Sequence, residues 1–153
     1  MDSDYFNSKK EKAKMVYGKQ KTVFSPYLQT GVVLNSDGFH HLQFSDRRER
    51  GKEEQLLKFN LLPLALEVIK KSGTVQEYRK SLIKTGKTSL RDGMSLTKSV
   101  QYWGFVAIIG DSKIKIRTII RRIGDGNFMF WSVMPDTKLK GGQKLYTGGM
   151  EDD

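Results

Sequence analysis

Residues 100–134, VQYWGFVAIIGDSKIKIRTIIRRIGDGNFMFWSVM, contain three runs rich in β-branched and aromatic residues, which strands favour. The runs cover residues 100–109, 113–123 and 127–134. Between them lie Gly-Asp-Ser and Gly-Asp-Gly, turn sequences of the length that joins neighbouring antiparallel strands. We therefore predict a three-stranded meander at the C-terminal end of the fold. Pro135 ends its last strand, because proline has no N–H to donate to the sheet.

A segment that is helical by composition precedes these strands at residues 55–73, QLLKFNLLPLALEVIKKSG. Its apolar side chains are the predicted core face, but Pro63 cannot lie deep inside an unbroken helix. The alternatives are a kink, or a second helix that begins near Asn60 or Leu62 and ends just before Gly73. Packing of this segment on one face of the sheet would leave the other face partly free.

Two shorter strands are expected near the N-terminal end, at residues 31–34 and 39–44. The sequence Asn-Ser-Asp-Gly between them is typical of a hairpin turn, in which glycine supplies a positive φ. The predicted fold class is therefore α+β. We expect an N-terminal hairpin and helices packed on a four- or five-stranded antiparallel sheet that ends in the three-stranded meander.

Two segments between the helical region and the meander are less regular. Residues 74–84 stay open between helix and strand, because Thr74 and Glu77 have the spacing of a capping box while the apolar residues nearby also suit a strand. Residues 85–98 are rich in Gly, Ser, Thr and Lys, which predicts a surface loop. Loops on a rigid scaffold often hold binding groups.

The length of 153 residues fits one domain with a single core, and we divide the chain into three parts. Residues 1–22 are expected to form a loose basic arm. Residues 23–136 form the folded domain, and residues 137–153, glycine-rich and then acidic, are expected to form a disordered tail. No run approaches the roughly 18 apolar residues that a membrane-spanning helix needs, so no membrane partner is expected.

Positive charge is concentrated in one part of the chain. The sequence has a net charge of +10, and residues 70–122 contain 13 lysines and arginines but three acidic residues. This segment therefore has the net charge of the whole chain. Nucleic acid is the partner that such charge favours, because phosphates release counterions when protein cations replace them. The alternative is a solubilising surface.

Alternation along the strand at residues 113–123 separates its side chains into two faces. One face has four of the strand's five cations, while Arg122 lies on the other, and the hairpin to the next strand adds an aromatic ring to the cationic face. Its members are Lys113, Lys115, Arg117, Ile119, Arg121, Met129, Trp131 and Val133. Arginine binds phosphate through paired hydrogen bonds and an aromatic ring stacks on a base, so this face is the candidate nucleic-acid surface. Arg47 and Arg48, before the helical segment, and Lys87 and Arg91, in the predicted loop, are further candidate contacts.

The chain has two histidines, His40 and His41, and they are adjacent. In the predicted strand they point to opposite faces, His40 towards the core and His41 away from it. His41 is therefore the candidate acid or base, since histidine exchanges protons near neutral pH. A structural role is the alternative. Adjacent histidines in a strand cannot share a metal ion, and the chain has no cysteine to complete a site.

Two signatures of nucleotide or metal chemistry are set aside. Gly-Lys-Thr at residues 86–88 has the ending of a phosphate-binding loop, but Ser81 occupies the position of its first glycine. The Asp-x-Lys triplets at residues 111–113 and 136–138 have no partner carboxylates, and two-metal chemistry needs clustered carboxylates. We therefore predict metal-independent chemistry without a cofactor.

Five short motifs resemble, in their order, one group of nucleases. They are HL at residues 41–42, LLP at 61–63, YWGF at 102–105, KIRTIIRR at 115–122 and FWSVMP at 130–135. They are similar to the phage and mobile-element nucleases grouped with barnase, EndoU, the colicin anticodon nucleases and RelE, over about residues 31–135. The resemblance implies helices packed on a four- or five-stranded antiparallel sheet. For many members it also implies a bacterial toxin domain that cleaves RNA.

The resemblance implies a role for each matching residue. His41 falls at the family's N-terminal histidine, Arg117 and Arg121 at its basic strand positions, and Ser132 at the polar position of the last strand. The leading hypothesis is attack of a ribose 2′-hydroxyl on the neighbouring phosphate, with His41 moving a proton and the two arginines stabilising the phosphorane. Ser132 or Thr118 would orient a phosphate oxygen. Both lie on the face opposite the arginines, unless a bulge shifts the register.

The predicted partner is RNA, with transfer RNA as one candidate, and the expected site of action is the cytoplasm, with delivery from another cell as one route. The resemblance also implies an acidic immunity protein or antitoxin. Two other classes of function would use the same basic face: a non-catalytic nucleic-acid-binding module, and a domain that binds an acidic protein. Growth arrest on expression favours the nuclease, and harmless expression favours the other two.

Overall fold

The structure is a computed structural model that describes residues 2–45, 48–85, 96–136 and 150. Within these ranges it contains three helices and six strands. The helices are α1 (Ser3–Lys19), α2 (Ser36–Gln43) and α3 (Lys52–Lys71). The strands are β1 (Thr22–Ser25), β2 (Thr30–Val33), β3 (Glu77–Thr85), β4 (Leu96–Ile109), β5 (Ile114–Ile123) and β6 (Met129–Pro135). The predicted α+β class is confirmed.

All six described strands belong to one sheet with the order β1-β2-β6-β5-β4-β3. Strands β4, β5 and β6 form the predicted antiparallel meander, and β3 extends it by pairing antiparallel with β4. On the other side β2 pairs parallel with β6, while β1 and β2 form a hairpin. The sheet therefore has six strands instead of four or five, because β3 and the short β1–β2 hairpin both join it.

The hairpin lies earlier in the chain than the sequence indicates, and its predicted second strand, residues 39–44, is wrong. Residues 36–43 form α2 instead, because the Asn35 side chain accepts a hydrogen bond from the Gly38 backbone N–H (3.0 Å) and caps the helix. The observed hairpin pairs Val23 with Val32 and Ser25 with Thr30. The Asn-Ser-Asp-Gly segment is thus a helix start and not a turn between strands.

The long helix α3 runs through Pro63 without a break, so the two-helix alternative is wrong. Pro63 is exposed, which places the missing N–H and the proline ring on the solvent side of the helix. The opposite side packs Leu62, Ala65 and Ile69 against the sheet. Gly73 follows the end of the helix, where the Ser72 N–H donates to the Val68 carbonyl oxygen (3.0 Å). None of the described helices is long and apolar enough to cross a membrane.

The N-terminal segment differs from the expected loose arm, because residues 3–19 form α1. Phe6, Ala13 and Tyr17 are buried on one side of this helix, at a spacing of seven and four residues that fits a helical face. The Phe6 ring lies 5.9 Å from Phe59 of α3, and the Tyr17 hydroxyl donates a hydrogen bond to the Asn35 carbonyl oxygen. Lys12, Lys14 and Lys19 of this helix are exposed.

The segment left open between helix and strand is a strand. Strand β3 pairs with β4 from Glu77↔Gly104 to Thr85↔Leu96, and Tyr78 lies opposite Trp103 with their rings 5.5 Å apart. Residues 86–95, most of the predicted surface loop, lie outside the described residues.

Apolar side chains cover both faces of the sheet. The main core lies between the helices and one face, and it includes Phe105, Ile120 and Phe130 from the strands. A second, smaller cluster on the other face contains Val100, Tyr102, Ile119, Trp131, Met134 and Met150. Apart from Met150, the predicted disordered tail lies outside the described residues. Met150 is 1% exposed, so at this residue the tail covers the face that was expected to be partly free.

Candidate functional site

The β5–β6 register shifts at Trp131. Arg121 pairs with Met129 and Ile120 with Phe130, as the hairpin turn predicts, but Ile119 pairs with Ser132. Trp131 is therefore the extra residue of a β-bulge, and bulges often redirect a side chain near functional sites. The shift moves Ser132 opposite Ile119, which is the irregular alternative considered above. It also moves Val133, expected on the cationic face, into the main core.

A cleft of about 380 Å³ lies beside this bulge. It is lined by residues from α2 and the segment that follows, together with Arg121 of β5 and Trp131 of β6. The α2 side contributes Asp37, His40, His41, Phe44 and Ser45. The structure thus brings together three of the residues that the sequence indicates, His41, Arg121 and Trp131.

The two histidines are arranged in the opposite sense to the prediction. His41 is buried, with 2% of its surface exposed, and His40 is exposed. The strand model was wrong because α2 is a helix, in which neighbouring side chains are about 100° apart and His41 shares the buried side with Leu42. The His41 ring stacks on Trp131, with 3.9 Å between the ring centroids and 17° between the planes.

His41 is surrounded by cations. The Arg50 guanidinium donates to His41 Nε2 (3.1 Å) and to the His41 carbonyl oxygen (2.9 Å). Burial, followed by the charges of Arg50, Lys58 and Arg121, lowers the pKa of His41 to about 2. His41 is therefore neutral at pH 7. Because a guanidinium can only donate, Nε2 is the acceptor and the ring proton is on Nδ1.

Arg121 is the cation on the wall of the cleft. Its guanidinium carbon lies 4.1 Å from the Trp131 ring centroid and 5.8 Å from that of Tyr102, within the range of cation–π attraction. Its Nε is buried without a hydrogen-bond partner within the described part of the chain. The two aromatic rings do not neutralise the positive charge of Arg121, and contact with them holds its guanidinium beside the cleft.

Arg117, the other arginine assigned to the phosphate, does not line the cleft. It is buried, its Nη1 lies 2.8 Å from Glu77 Oε1, and its Nε donates to Met134 Sδ (3.3 Å). Thr118 and Ser132 are buried as well and also lie outside the lining. Ser132 accepts a hydrogen bond from Lys58, while Thr118 Oγ1 has no partner among the described residues.

The remaining predicted nucleic-acid contacts are spread over the surface. Lys113 is exposed in the turn before β5, with a positive φ of 53°. Lys115 is exposed and its Nζ lies 3.4 Å from Asp136 Oδ2. Arg48 is exposed, and its Nη1 donates to the Glu49 carbonyl oxygen (3.2 Å). Arg47, Lys87 and Arg91 lie outside the described residues.

Sequence reasoning missed several residues around the cleft. His40 was assigned to the core, but its exposed ring stacks on Phe44, with 4.5 Å between the centroids. The four-residue spacing of these two rings is the signal for a helical face that was available in the sequence. Arg50 and Lys58 are buried beneath the cleft, and nothing in their local sequence distinguishes them from exposed cations.

No group of three or more His, Cys, Asp or Glu side chains close enough to hold a metal ion occurs in the part of the chain that the structure describes. Comparison of the chain with protein-family models, with curated proteins and with solved structures gives no match.

Proposed function

We propose that this chain is an endoribonuclease that cleaves RNA in the cleft between α2 and the β6 bulge, without a metal ion. The observation behind the proposal is the convergence of Arg121, Trp131 and the two histidines on one cleft. These groups supply a phosphate-binding cation, aromatic surface and an imidazole. The net charge of +10 favours a polyanionic substrate.

We assign binding of the substrate phosphate to Arg121. Its position on the cleft wall allows hydrogen bonds to a phosphodiester, and arginine binds phosphate in a paired geometry. As the ribose 2′-oxygen attacks phosphorus, negative charge builds up on the non-bridging oxygens, and a fixed guanidinium stabilises it. Arg117 has a structural role in this proposal, because its guanidinium lies against Glu77.

We assign proton transfer to His40 in place of His41. His40 is exposed in the cleft, whereas His41 is stacked on Trp131 and its pKa of about 2 makes its imidazole a poor proton acceptor. His40 would accept the proton of the 2′-hydroxyl as the bond from the 2′-oxygen to phosphorus forms. The bond to the 5′-oxygen breaks, and that oxygen takes a proton from water, while His40 returns the proton that it accepted to the solvent. The products are a 2′,3′-cyclic phosphate and a 5′-hydroxyl.

The resemblance to nucleases of phages and mobile elements supports the same reaction class and a toxin-like role. On this account, expression of the intact chain in bacteria stops growth, and an acidic protein would be a suitable neutralising partner for its basic surface.

The test is cleavage of transfer RNA and total RNA in EDTA by the wild type and three variants. We expect His40→Ala and Arg121→Ala to lose activity by about 100-fold or more, as losses of general-base and charge-stabilising groups do. Arg122→Ala is the matched control, because Arg122 is the next residue on β5 and lies over Phe128 instead of Trp131. Cleavage that survives both His40→Ala and Arg121→Ala would reject the assignments.

A non-catalytic nucleic-acid-binding module is the second candidate, and the state of His41 favours it. An imidazole whose pKa is about 2 and whose ring is stacked on a tryptophan is a poor acceptor for the proton of a 2′-hydroxyl. This function predicts salt-dependent RNA binding without product, with a log K against log[salt] slope that falls by about 1 in Arg121→Ala.

A further inference from the structure

Lys58 of α3 is a fully buried lysine, with none of its surface exposed. Lysine is almost never fully buried unless its amine is paired, because removing a charge or a hydrogen-bonding group from water is unfavourable. Helix α3 otherwise buries mainly apolar side chains against the sheet. An amine at this position therefore calls for a reason beyond packing.

The amine of Lys58 binds the strand at its bulge. Nζ donates to Ser132 Oγ and to the Val133 carbonyl oxygen, each at 3.0 Å. Ser132 and Val133 directly follow Trp131, the extra residue of the bulge. Because the ladder is disrupted at a bulge, hydrogen bonds from another element help to define the backbone there.

Trp131 connects this backbone to the cleft. Its ring stacks on His41 at 3.9 Å and lies under the Arg121 guanidinium at 4.1 Å. A small change of the bulge would therefore move the ring that two other cleft residues contact. The amine acts one residue away from that ring and does not itself line the cleft.

Holding an amine at this position is costly. Burial, and next the charge of Arg50, lower the pKa of Lys58 well below its usual 10.5, with Arg117 adding to the effect and Glu54 opposing it. Methionine has a similar length and no such cost, and replacing buried charged groups by apolar ones is often neutral or stabilising. A buried residue that costs stability is typical of functional sites.

We propose that Lys58 is a positioning residue, whose hydrogen bonds to Ser132 and Val133 fix the bulge that directs Trp131 against His41 and Arg121 in the cleft. The effect of Lys58 on RNA cleavage rests on the function proposed above. Its effect on the position of Trp131 does not depend on that function.

The experiment uses Lys58→Met in the full chain, with Lys70→Met as control because Lys70 is an exposed lysine of the same helix. Trp103→Phe in each protein leaves Trp131 as the single tryptophan. We expect Lys58→Met to fold with an unchanged or higher Tm, to shift Trp131 emission to the red and to increase its quenching by acrylamide. The rate of RNA cleavage should fall on the order of 10- to 100-fold, because small misplacements of site groups have effects of that size on reaction rates.

A second variant, Ser132→Ala, tests the proposal if Lys58→Met does not fold. Ser132→Ala removes one acceptor and keeps the amine, so we expect a smaller Trp131 shift in the same direction. Unchanged Trp131 emission in whichever of these variants is folded overturns the proposal, and so does a shifted Trp131 emission with an unchanged rate of RNA cleavage. If the wild type neither binds nor cleaves RNA, the proposed function fails, while the Trp131 measurement still decides the role of Lys58.

Discussion

At the scale of single residues, the two adjacent histidines have opposite environments. His40 is exposed and stacks on Phe44, whereas His41 is buried between Trp131 and the Arg50 guanidinium. The difference follows from their positions on α2, where a rotation of about 100° separates neighbours. We therefore assign proton transfer to His40, whereas the His41 ring packs against Trp131.

The state of His41 predicts how stability depends on pH. Its pKa is about 2 in the folded chain, whereas in the unfolded chain it is near the usual value of about 6.5. Below that value the unfolded chain binds the extra proton, so stability is present above about pH 6.5 and is lost as the pH falls. His41 should account for about 1.4 kcal/mol of unfolding free energy per pH unit below about pH 6.

Urea unfolding between about pH 6.5 and pH 5 measures this slope, where histidine but few carboxyl groups titrate. His41→Phe retains a ring beside Trp131 and cannot titrate, so its stability should depend less steeply on pH than that of the wild type. Equal slopes for the two proteins would show that His41 is not held neutral.

Side-chain directions on β5 were predictable from alternation, and they place Arg121 beside Trp131 as expected. The burial of Arg117 was not predictable, because its partner Glu77 is 40 residues away in the sequence. The same holds for Lys58, whose contacts at Ser132 and Val133 are more than 70 residues away. Local patterns contain no information on such pairs.

At the scale of elements, the close contact between α2 and β6 forms the cleft. Gly38 in the first turn of α2 makes this contact possible, since a Cβ built there would lie 2.2 Å from the Phe130 carbonyl oxygen. That oxygen belongs to the backbone of β6 and cannot move aside as a flexible side chain would. The glycine therefore sets the distance between the helix and the bulge.

Gly38→Ala should lower the free energy of unfolding by about 3 kcal/mol, the upper end of the usual cost of overpacking. Gly18→Ala is the matched control, because Gly18 lies in α1 with nothing within 4 Å of its Cβ position. The control should raise stability by about 0.5–1 kcal/mol, as expected for alanine in a helix. Equal effects of the two substitutions in chemical denaturation would contradict the close packing of α2 on β6.

The meander was the most predictable group of elements, because its strands are β-rich and joined by short turns. Helix α2 was missed because Asn-Ser-Asp-Gly has the composition of both a hairpin turn and a capped helix start. Residues 39–44 alternate well enough to suit a strand. The contact of Gly38 with β6, which favours the helix, is formed only in the folded chain.

At the scale of the whole molecule, apolar side chains of the described residues pack on both faces of the central strands. The helices cover one side, and the second cluster, which includes Trp131 and Met150, covers part of the other. The α+β class was predictable from the order of helical and strand patterns along the chain. The second cluster did not, because Met150 lies in a segment without apolar periodicity.

Met150→Ala should therefore destabilise the fold, although the residue is the fourth from the end of the sequence. Its side chain packs with Tyr102 and Trp131, and truncation of a buried methionine costs about 2–5 kcal/mol. The expected result is a lower midpoint in thermal unfolding. Tyr27→Ala, at a partly exposed aromatic on the other side of the sheet, is a control for the loss of a surface side chain. A wild-type midpoint for Met150→Ala would mean that the tail does not cover the sheet.

We propose that the cleft lined by His40, Arg121 and Trp131 cleaves RNA by transesterification. The most direct measurement is the chemical identity of the RNA ends formed in EDTA by the wild type, with His40→Ala and Arg121→Ala in parallel. We expect 2′,3′-cyclic phosphate and 5′-hydroxyl ends from the wild type and at least about 100-fold less of both from the two variants. Ends of another kind, no cleavage by the wild type, or equal amounts of these ends from all three proteins would contradict the proposal.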